Sequence, residues 1–212
     1  MTEIFKQFSK NNGDADADPM VWGGKGAGLA RMAAQGYPVP PGFTINLELC
    51  KLYQDQPEAV MDAIMADIGE HLTFIEKQFG YMPLLSVRSG APISMPGMMD
   101  TILNVGALCH DIEMPELPER TIADCSRRLL QMLGSTALGI DHSLFETVMS
   151  AFREAAKVET DAELSAADLV GVVDKFRELY AEAGHAVPET QLDQLRIAID
   201  AVEMALRHPN VT

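Results

Sequence analysis

The sequence predicts an α+β fold in which a small sheet carries two glycine-rich loops and a helical lobe follows from about residue 109. Three observations predict it. Residues 20–45 are dense in Gly and Pro and read as loop, helix, loop, strand. Two short β-like runs, Leu84 to Arg88 and Thr101 to Val105, bracket a long loop broken by Gly90, Pro92, Pro96 and Gly97. From about residue 119 onward, apolar residues recur at helical spacing.

In chain order, the first 18 residues hold the polar, turn-prone stretch Asn11, Asn12, Gly13, Asp14 and Asp16, and are expected to be the least ordered part. Residues 47–79 read as helix. Val60, Ile64, Ile68, Leu72, Ile75 and Phe79 line one face, and Pro57 suits a first helical turn. Ile122, Cys125, Leu129, Leu130 and Leu133 mark the next helix. Ser165 and Asp168 resemble a capping box that opens a helix through Leu169, Val172, Val173, Phe176 and Leu179. Leu192, Leu195, Ile199, Val202 and Leu206 mark a last helix that Pro209 stops. The expected divisions are an α/β lobe over residues 1–108, a helical lobe over 109–189, and a terminal helix over 190–212 returning to the first lobe.

Composition excludes several functions. With 212 residues, 47% of them hydrophobic, the chain can bury a core. Its formal net charge of −15 argues against nucleic acid and against an anionic membrane surface as partners. A polyphosphate remains possible, because donors at a site act at short range while the distant field is screened over ~8–10 Å. No apolar stretch approaches the ~18 residues of a membrane span. The start, Met1-Thr2-Glu3-Ile4, lacks the basic and apolar regions of a signal peptide. Cys50, Cys109 and Cys125 are scattered without a C-x-x-C pair, so buried thiols in a cytoplasmic protein are expected rather than zinc ligands or disulfides. His71, His110, His142, His185 and His208 show no ligand spacing and are read as non-catalytic, and no metal-ligand residues are assigned.

Three segments could carry chemistry. Gly23, Gly24, Lys25 and Gly26 stand just before a helical pattern. Glycines let a backbone approach phosphate oxygens, a helix start supplies N–H groups, and lysine adds a mobile charge. The spacing is not that of a Walker A loop, and a flexible turn with a solvated lysine fits these residues equally. Arg88, with Ser89 and Gly90 after it, ends a strand-like run and is placed either to fork onto phosphate oxygens or to form a salt bridge at the strand end. Met95, Met98 and Met99 lie in the Gly/Pro loop, where they either pack on a flat base or plug a core gap. Asp100 reads more readily as a turn cap than as a magnesium ligand. For Arg127 and Arg128, a solvated helix face is expected for at least one.

Together these segments resemble the N-terminal nucleotide-binding region of the pyruvate, phosphate dikinase family. That family's pattern G-G-K-G-A-x-L-A-x-M, then G-x-P-V-P-P-G-F-T, is met by Gly23 to Met32 and by Gly36 to Thr44. Its block S-V-R-S-G-A-x-x-S-M-P-G-M-M-D-T-I-L-N is met almost throughout by Ser86 to Asn104. A D-S-Y-R-R-F-x-Q-M-like run corresponds to Asp124, Arg127, Arg128, Gln131 and Met132. The resemblance runs from about residue 20 to the end. The phosphoenolpyruvate synthases are the nearest related family, but the Met-Pro-Gly-Met-Met run fits the dikinases better.

The resemblance implies the first part of an ATP-grasp fold, with ATP and Mg2+ as cofactors. It implies a phosphotransferase in which ATP phosphorylates a histidine carrier on the way to phosphoenolpyruvate. By match, Lys25 and Arg88 are the catalytic candidates. Gly23, Gly24, Lys25, Gly26, Arg88, Ser89, Gly97, Met98 and Met99 are the nucleotide-binding candidates, the last three covering the nucleotide. It further implies that the acidic magnesium ligands, the phosphohistidine and the pyruvate site lie beyond these residues. A separate polypeptide would then be a partner, and this N-terminal ATP-binding fragment would be inactive alone. The alternative is a stand-alone, non-catalytic nucleotide-, phosphate- or partner-binding module. Two departures stand out: Pro92 and Ile93 replace a small or basic pair, and Ser126 replaces a tyrosine, which is expected to loosen helical packing.

Overall fold

A computed structural model describes residues 3–89, 101–109 and 117–206, with side chains as far as Val202. The chain forms two compact units. One is built on the residues up to Pro83 and takes in Arg88, and the other is built on Leu84–Val87 and the residues from Thr101 to Ala201.

The first unit starts with strand β1, Phe5–Phe8, which pairs antiparallel with β2, Gly42–Ile45, in the register Phe5 to Ile45 through Phe8 to Gly42. The N-terminal stretch expected to lack order therefore opens with a strand. Phe5 and Phe8 are both buried, and Phe5 meets Phe43 edge-on at 5.4 Å between ring centroids. The polar residues that follow are tied down: Ser9 and Asn12 exchange two backbone hydrogen bonds, and the Asp14 amide donates to the Ala30 carbonyl.

Between the two strands lie α1, Pro19–Trp22, and α2, Gly24–Ala34. Asp18 caps α1 by accepting from the Met20 amide. The inner face of α2 is made of Ala27, Ala30 and Ala33, packed with Phe8, Ala17, Trp22 and Val39. Small residues there let the chain approach closely: a Cβ on Gly13 would stand 2.2 Å from the Ala30 carbonyl oxygen.

The stretch read as helical over residues 47–79 is made of two helices, α3 (Leu47–Asp55) and α4 (Pro57–Phe79), with Pro57 in the first turn of α4 as its position suggests. Proline at the first position of α4 has no N–H to continue α3, so the break falls at Gln56. Val60, Ile64, Ile68, Leu72 and Ile75 are buried as their spacing predicts. Phe79 is exposed instead, because α4 ends there at Gly80, which adopts φ 80° as its left-handed cap.

In the second unit, β3 (Leu85–Val87) pairs antiparallel with β4 (Ile102–Val105). The one small sheet expected to carry both glycine-rich loops is thus two separate two-stranded sheets among the described residues. The physical reason is that β1 supplies β2 with a partner, while β3 and β4 satisfy each other.

Helices α5 (Glu119–Met132), α6 (His142–Ala156), α7 (Ala166–Glu182) and α8 (Gln191–Leu206) follow. α5 runs on into a π-helical turn, Leu133–Ala137. There Gly134 lies against Phe145 and Tyr180, where a Cβ would come within 2.6 Å of the Phe145 ring. Phe145 and Phe176 meet edge-on at 4.8 Å, and the buried Tyr180 hydroxyl donates to the Leu130 carbonyl at 2.7 Å. The capping box at Ser165 and Asp168 forms in both directions.

Ser126 lies buried on α5. Its buried hydroxyl donates to the carbonyls of Ala107 and Ile122 and so ties α5 to the end of β4. Gln194 of α8 is fully buried and satisfied. Its carbonyl oxygen accepts from the Gly106 amide at 2.6 Å, and its amide donates to the Pro188 carbonyl. Among the described residues no helix is long and apolar enough to cross a membrane.

Candidate functional site

Gly23 to Gly26 form the start of α2, not a free loop. Gly23 is at once the residue closing α1 and the N-cap of α2, with φ 71° and ψ 157°, a conformation that disfavours any side chain. Gly24, Lys25 and Gly26 are the first three residues of the helix. The first backbone bond of the turn runs from the Ala27 amide to the Gly23 carbonyl at 3.0 Å. No side chain caps α2. Its leading amides therefore keep the donor capacity that every helix start leaves over, beside the positive end of the helix dipole.

The turn is anchored from behind. Thr44 of β2 donates its hydroxyl to the Trp22 carbonyl at 3.0 Å. Its side chain also fills the space a Cβ on Gly26 would need, at 2.5–2.9 Å. Lys6 of β1 sits 5.1 Å from the centroid of the Trp22 ring and binds Asp14 at 2.7 Å. The hydrogen bond to Asp14 holds the Lys6 ammonium above its ordinary pKa, and the same bond holds Asp14 below its own. Lys6 is thus neutralised locally and serves the scaffold.

Lys25 is different. Its side chain is exposed, and it makes no ion pair or hydrogen bond among the described residues. Arg88 follows β3 directly, is exposed, and likewise has no salt bridge among the described residues. The strand-end ion pair that its position also allowed does not form there. Ser89 beside it is buried. Six other cations are engaged. Lys6, Arg127, Arg128, Arg153, Lys175 and Arg177 all pair with carboxylates. Arg127 is buried and bridges Asp124 and Asp161, while Arg128 is exposed, as expected for one of that pair.

The structure therefore brings Gly23, Gly24, Lys25 and Gly26 together in one turn, and Arg88 and Ser89 together after β3. Gly97, Met98 and Met99, with Asp100, Pro92 and Ile93, lie outside the described residues. Thr44 is the contributor that sequence reasoning passed over. It stands in the Gly42-Phe43-Thr44 segment already singled out, but a hydroxyl reaching a carbonyl 22 positions back leaves no spacing signal. Among the described residues no three of His, Cys, Asp or Glu come together as a group that could hold a metal ion.

No family model matches the chain. Curated relatives do. Pyruvate, phosphate dikinase, chloroplastic, of Mesembryanthemum crystallinum is 44% identical over 95% of this chain and 23% of its own length. Pyruvate, phosphate dikinase 1, chloroplastic, of Arabidopsis thaliana is 43% identical over 85% of this chain and 20% of its own length. Pyruvate, phosphate dikinase 2 of Zea mays is 38% identical over 91% and 23%. The chain spans about a fifth to a quarter of the length of the curated relatives it matches. Two segments that suggest little separately, a glycine-rich helix start and an arginine after a short strand, thus stand in a chain that is similar over most of its length to the N-terminal portion of pyruvate, phosphate dikinases.

Proposed function

We propose that this chain contributes the phosphate-binding face of an ATP site in a pyruvate, phosphate dikinase-type phosphotransferase. The observation that carries the reading is the uncapped start of α2, where Gly23, Gly24 and Gly26 flank a Lys25 that is exposed and unpaired among the described residues. Amides at a helix start and a lysine ammonium are the donors a polyphosphate needs. Arg88 supplies a second cation, with forked geometry suited to two phosphate oxygens. Both act by fixing phosphate oxygens and offsetting their charge, the principal protein contribution to phosphoryl transfer.

On this reading the first 108 residues are the opening lobe of an ATP-grasp fold, residues 109–189 a helical lobe, and residues 190–212 a terminal helix. Gly97, Met98 and Met99 cover the nucleotide. Mg2+ is held by residues other than those described, and turnover, with a histidine carrier as acceptor and phosphoenolpyruvate as the eventual product, needs the remainder of the relatives' length, on this or a separate polypeptide. On the same reading the chain works in the cytoplasm; the thiols of Cys50, Cys109 and Cys125 are half-buried, not buried as expected.

Calorimetry of the 212-residue chain with Mg-ATP tests the reading. Binding is expected, and Lys25→Ala and Arg88→Ala should each weaken it by about 1–3 kcal/mol, the range of a charge-assisted contact. Binding without ATP consumption would fit the module acting as a binding element. Unchanged affinity in both variants, or no binding at all, would sink the site assignment.

A further inference from the structure

We propose that Thr44 is a positioning residue that sets the direction of the α2 amides for anion binding, an inference that rests on the phosphate-site reading above. Four observations combine. Trp22 is the last residue of a helix only four residues long, so its carbonyl lies where helical N–H donors run out. The Thr44 hydroxyl takes that carbonyl at 3.0 Å. The Trp22–Gly23 peptide is trans and planar, so the Gly23 N–H points opposite to the Trp22 C=O. Pulling the carbonyl toward β2 therefore turns the Gly23 amide away from β2. Finally, the Thr44 side chain occupies the space beside Gly26, which blocks the helix start from settling toward the strand.

The hydroxyl and the bulk of Thr44 thus act on opposite ends of the Gly23–Gly26 turn. The hydroxyl fixes the peptide that enters the turn. The methyl and Cβ fix the distance at which the turn leaves it. Gly23 has more backbone freedom than any other residue type and would otherwise sample several peptide orientations, only some of which aim its N–H outward. A β-branched residue suits the task, because one preferred χ1 presents hydroxyl and methyl in defined directions. Preorganised donors bind an anion without a reorganisation cost at the moment of binding.

Mg-ATP calorimetry on the full chain and on Thr44→Val, Thr44→Ala and Thr44→Ser tests this, at a temperature where thermal unfolding shows each variant folded. Losing one neutral hydrogen bond predicts about a five- to tenfold rise in Kd for Thr44→Val and Thr44→Ala. Thr44→Ser, which keeps the hydroxyl, is expected to bind within about twofold of the parent chain, a rescue that simple loss of packing does not predict. In 15N spectra, the ligand-induced shift of the Gly23 amide should shrink in Thr44→Val and return in Thr44→Ser. Parent-like Kd in Thr44→Val overturns the proposal and leaves the phosphate site standing. So does a Thr44→Ser loss as large as that of Thr44→Ala. If both hydroxyl-free variants fail to fold, Thr44 is a structural residue and the proposal fails. If the parent chain itself does not bind Mg-ATP, the phosphate-site reading falls first and this inference with it.

Discussion

Replacing Gly26 by alanine puts two effects of known sign against each other. Gly26 is the third residue of α2 and adopts no left-handed conformation, so alanine there should favour the helix by about 1 kcal/mol. Against this, the new Cβ would stand 2.5 Å from the Thr44 Oγ1, 2.7 Å from its Cβ and 2.9 Å from its Cγ2. The Thr44 Cβ cannot rotate away, because it is bonded to the backbone of β2. Its hydroxyl is held by the Trp22 carbonyl. Overpacking that neighbours cannot relieve belongs at the upper end of the usual range, about 3 kcal/mol. The net expectation is a loss of about 2 kcal/mol.

Trp22 is the one tryptophan of the chain, is buried and borders the turn, so its fluorescence in urea reads this unit directly. At a slope of about 2 kcal/mol per molar, the midpoint should fall by roughly 1 M. Gly69→Ala is the control. Gly69 lies in α4, and a Cβ added to it would meet nothing within 4 Å, so the same substitution should stabilise by about 1 kcal/mol. Adding Thr44→Ala to Gly26→Ala removes two of the three close approaches and should recover roughly half of the loss. A Gly26→Ala midpoint at or above that of the parent chain would mean that α2 and β2 do not meet at these distances. The bracing of the turn by Thr44 would then be refuted.

Three further outcomes are expected. Tyr180→Phe should cost about 1–2 kcal/mol in a denaturant titration, because the buried hydroxyl is bonded to the Leu130 carbonyl; an unchanged midpoint would deny that bond a role. Asp161→Ala should cost about 1–3 kcal/mol, since Asp161 binds Arg153 and the buried Arg127, but Asp124 stays with Arg127; a loss below 0.5 kcal/mol, a rough threshold for surface changes, would count against this bridge. Stability should also fall as pH drops below 6.5, in part through His71. Burial against Phe5 and Phe43 lowers its folded pKa, opposed by Glu70, Asp67 and Glu3, so the unfolded chain takes up the proton first. His71→Leu should flatten that part of the pH profile, and an unaltered slope would show that His71 does not contribute.

Much of the helical architecture was legible because its signals are local. The capping box at Ser165, the proline opening α4 and the apolar face from Val60 to Ile75 each appear within a few residues of what they specify. The strands were less legible. Phe5–Phe8 reads as an isolated apolar pair in a polar leader, and only its pairing with Gly42–Ile45, nearly forty positions later, makes it a strand. The same distance effect hid the correct sheet arrangement. At the proposed site, residue type and neighbours suggest Lys25 and Arg88. They do not suggest Thr44, since its role depends on an acceptor in another element. Ser126 shows the same effect: as a replacement for an aromatic residue it suggests lost packing, and no local signal announces that its hydroxyl meets the Ala107 carbonyl.

Gln194 bears on the order in which this protein can finish folding during synthesis. The Gly106 amide waits for a side chain 88 residues further along the chain. At ribosomal speeds of about 5–20 residues per second, that partner is made roughly 4 to 18 seconds later. Until then the end of β4 carries a donor whose native acceptor does not yet exist. The β1–β2 pair, whose strands are separated by far fewer residues, has no such delay. The turn at Gly23 can therefore take shape on the nascent chain while the helical unit is still waiting for its last helix.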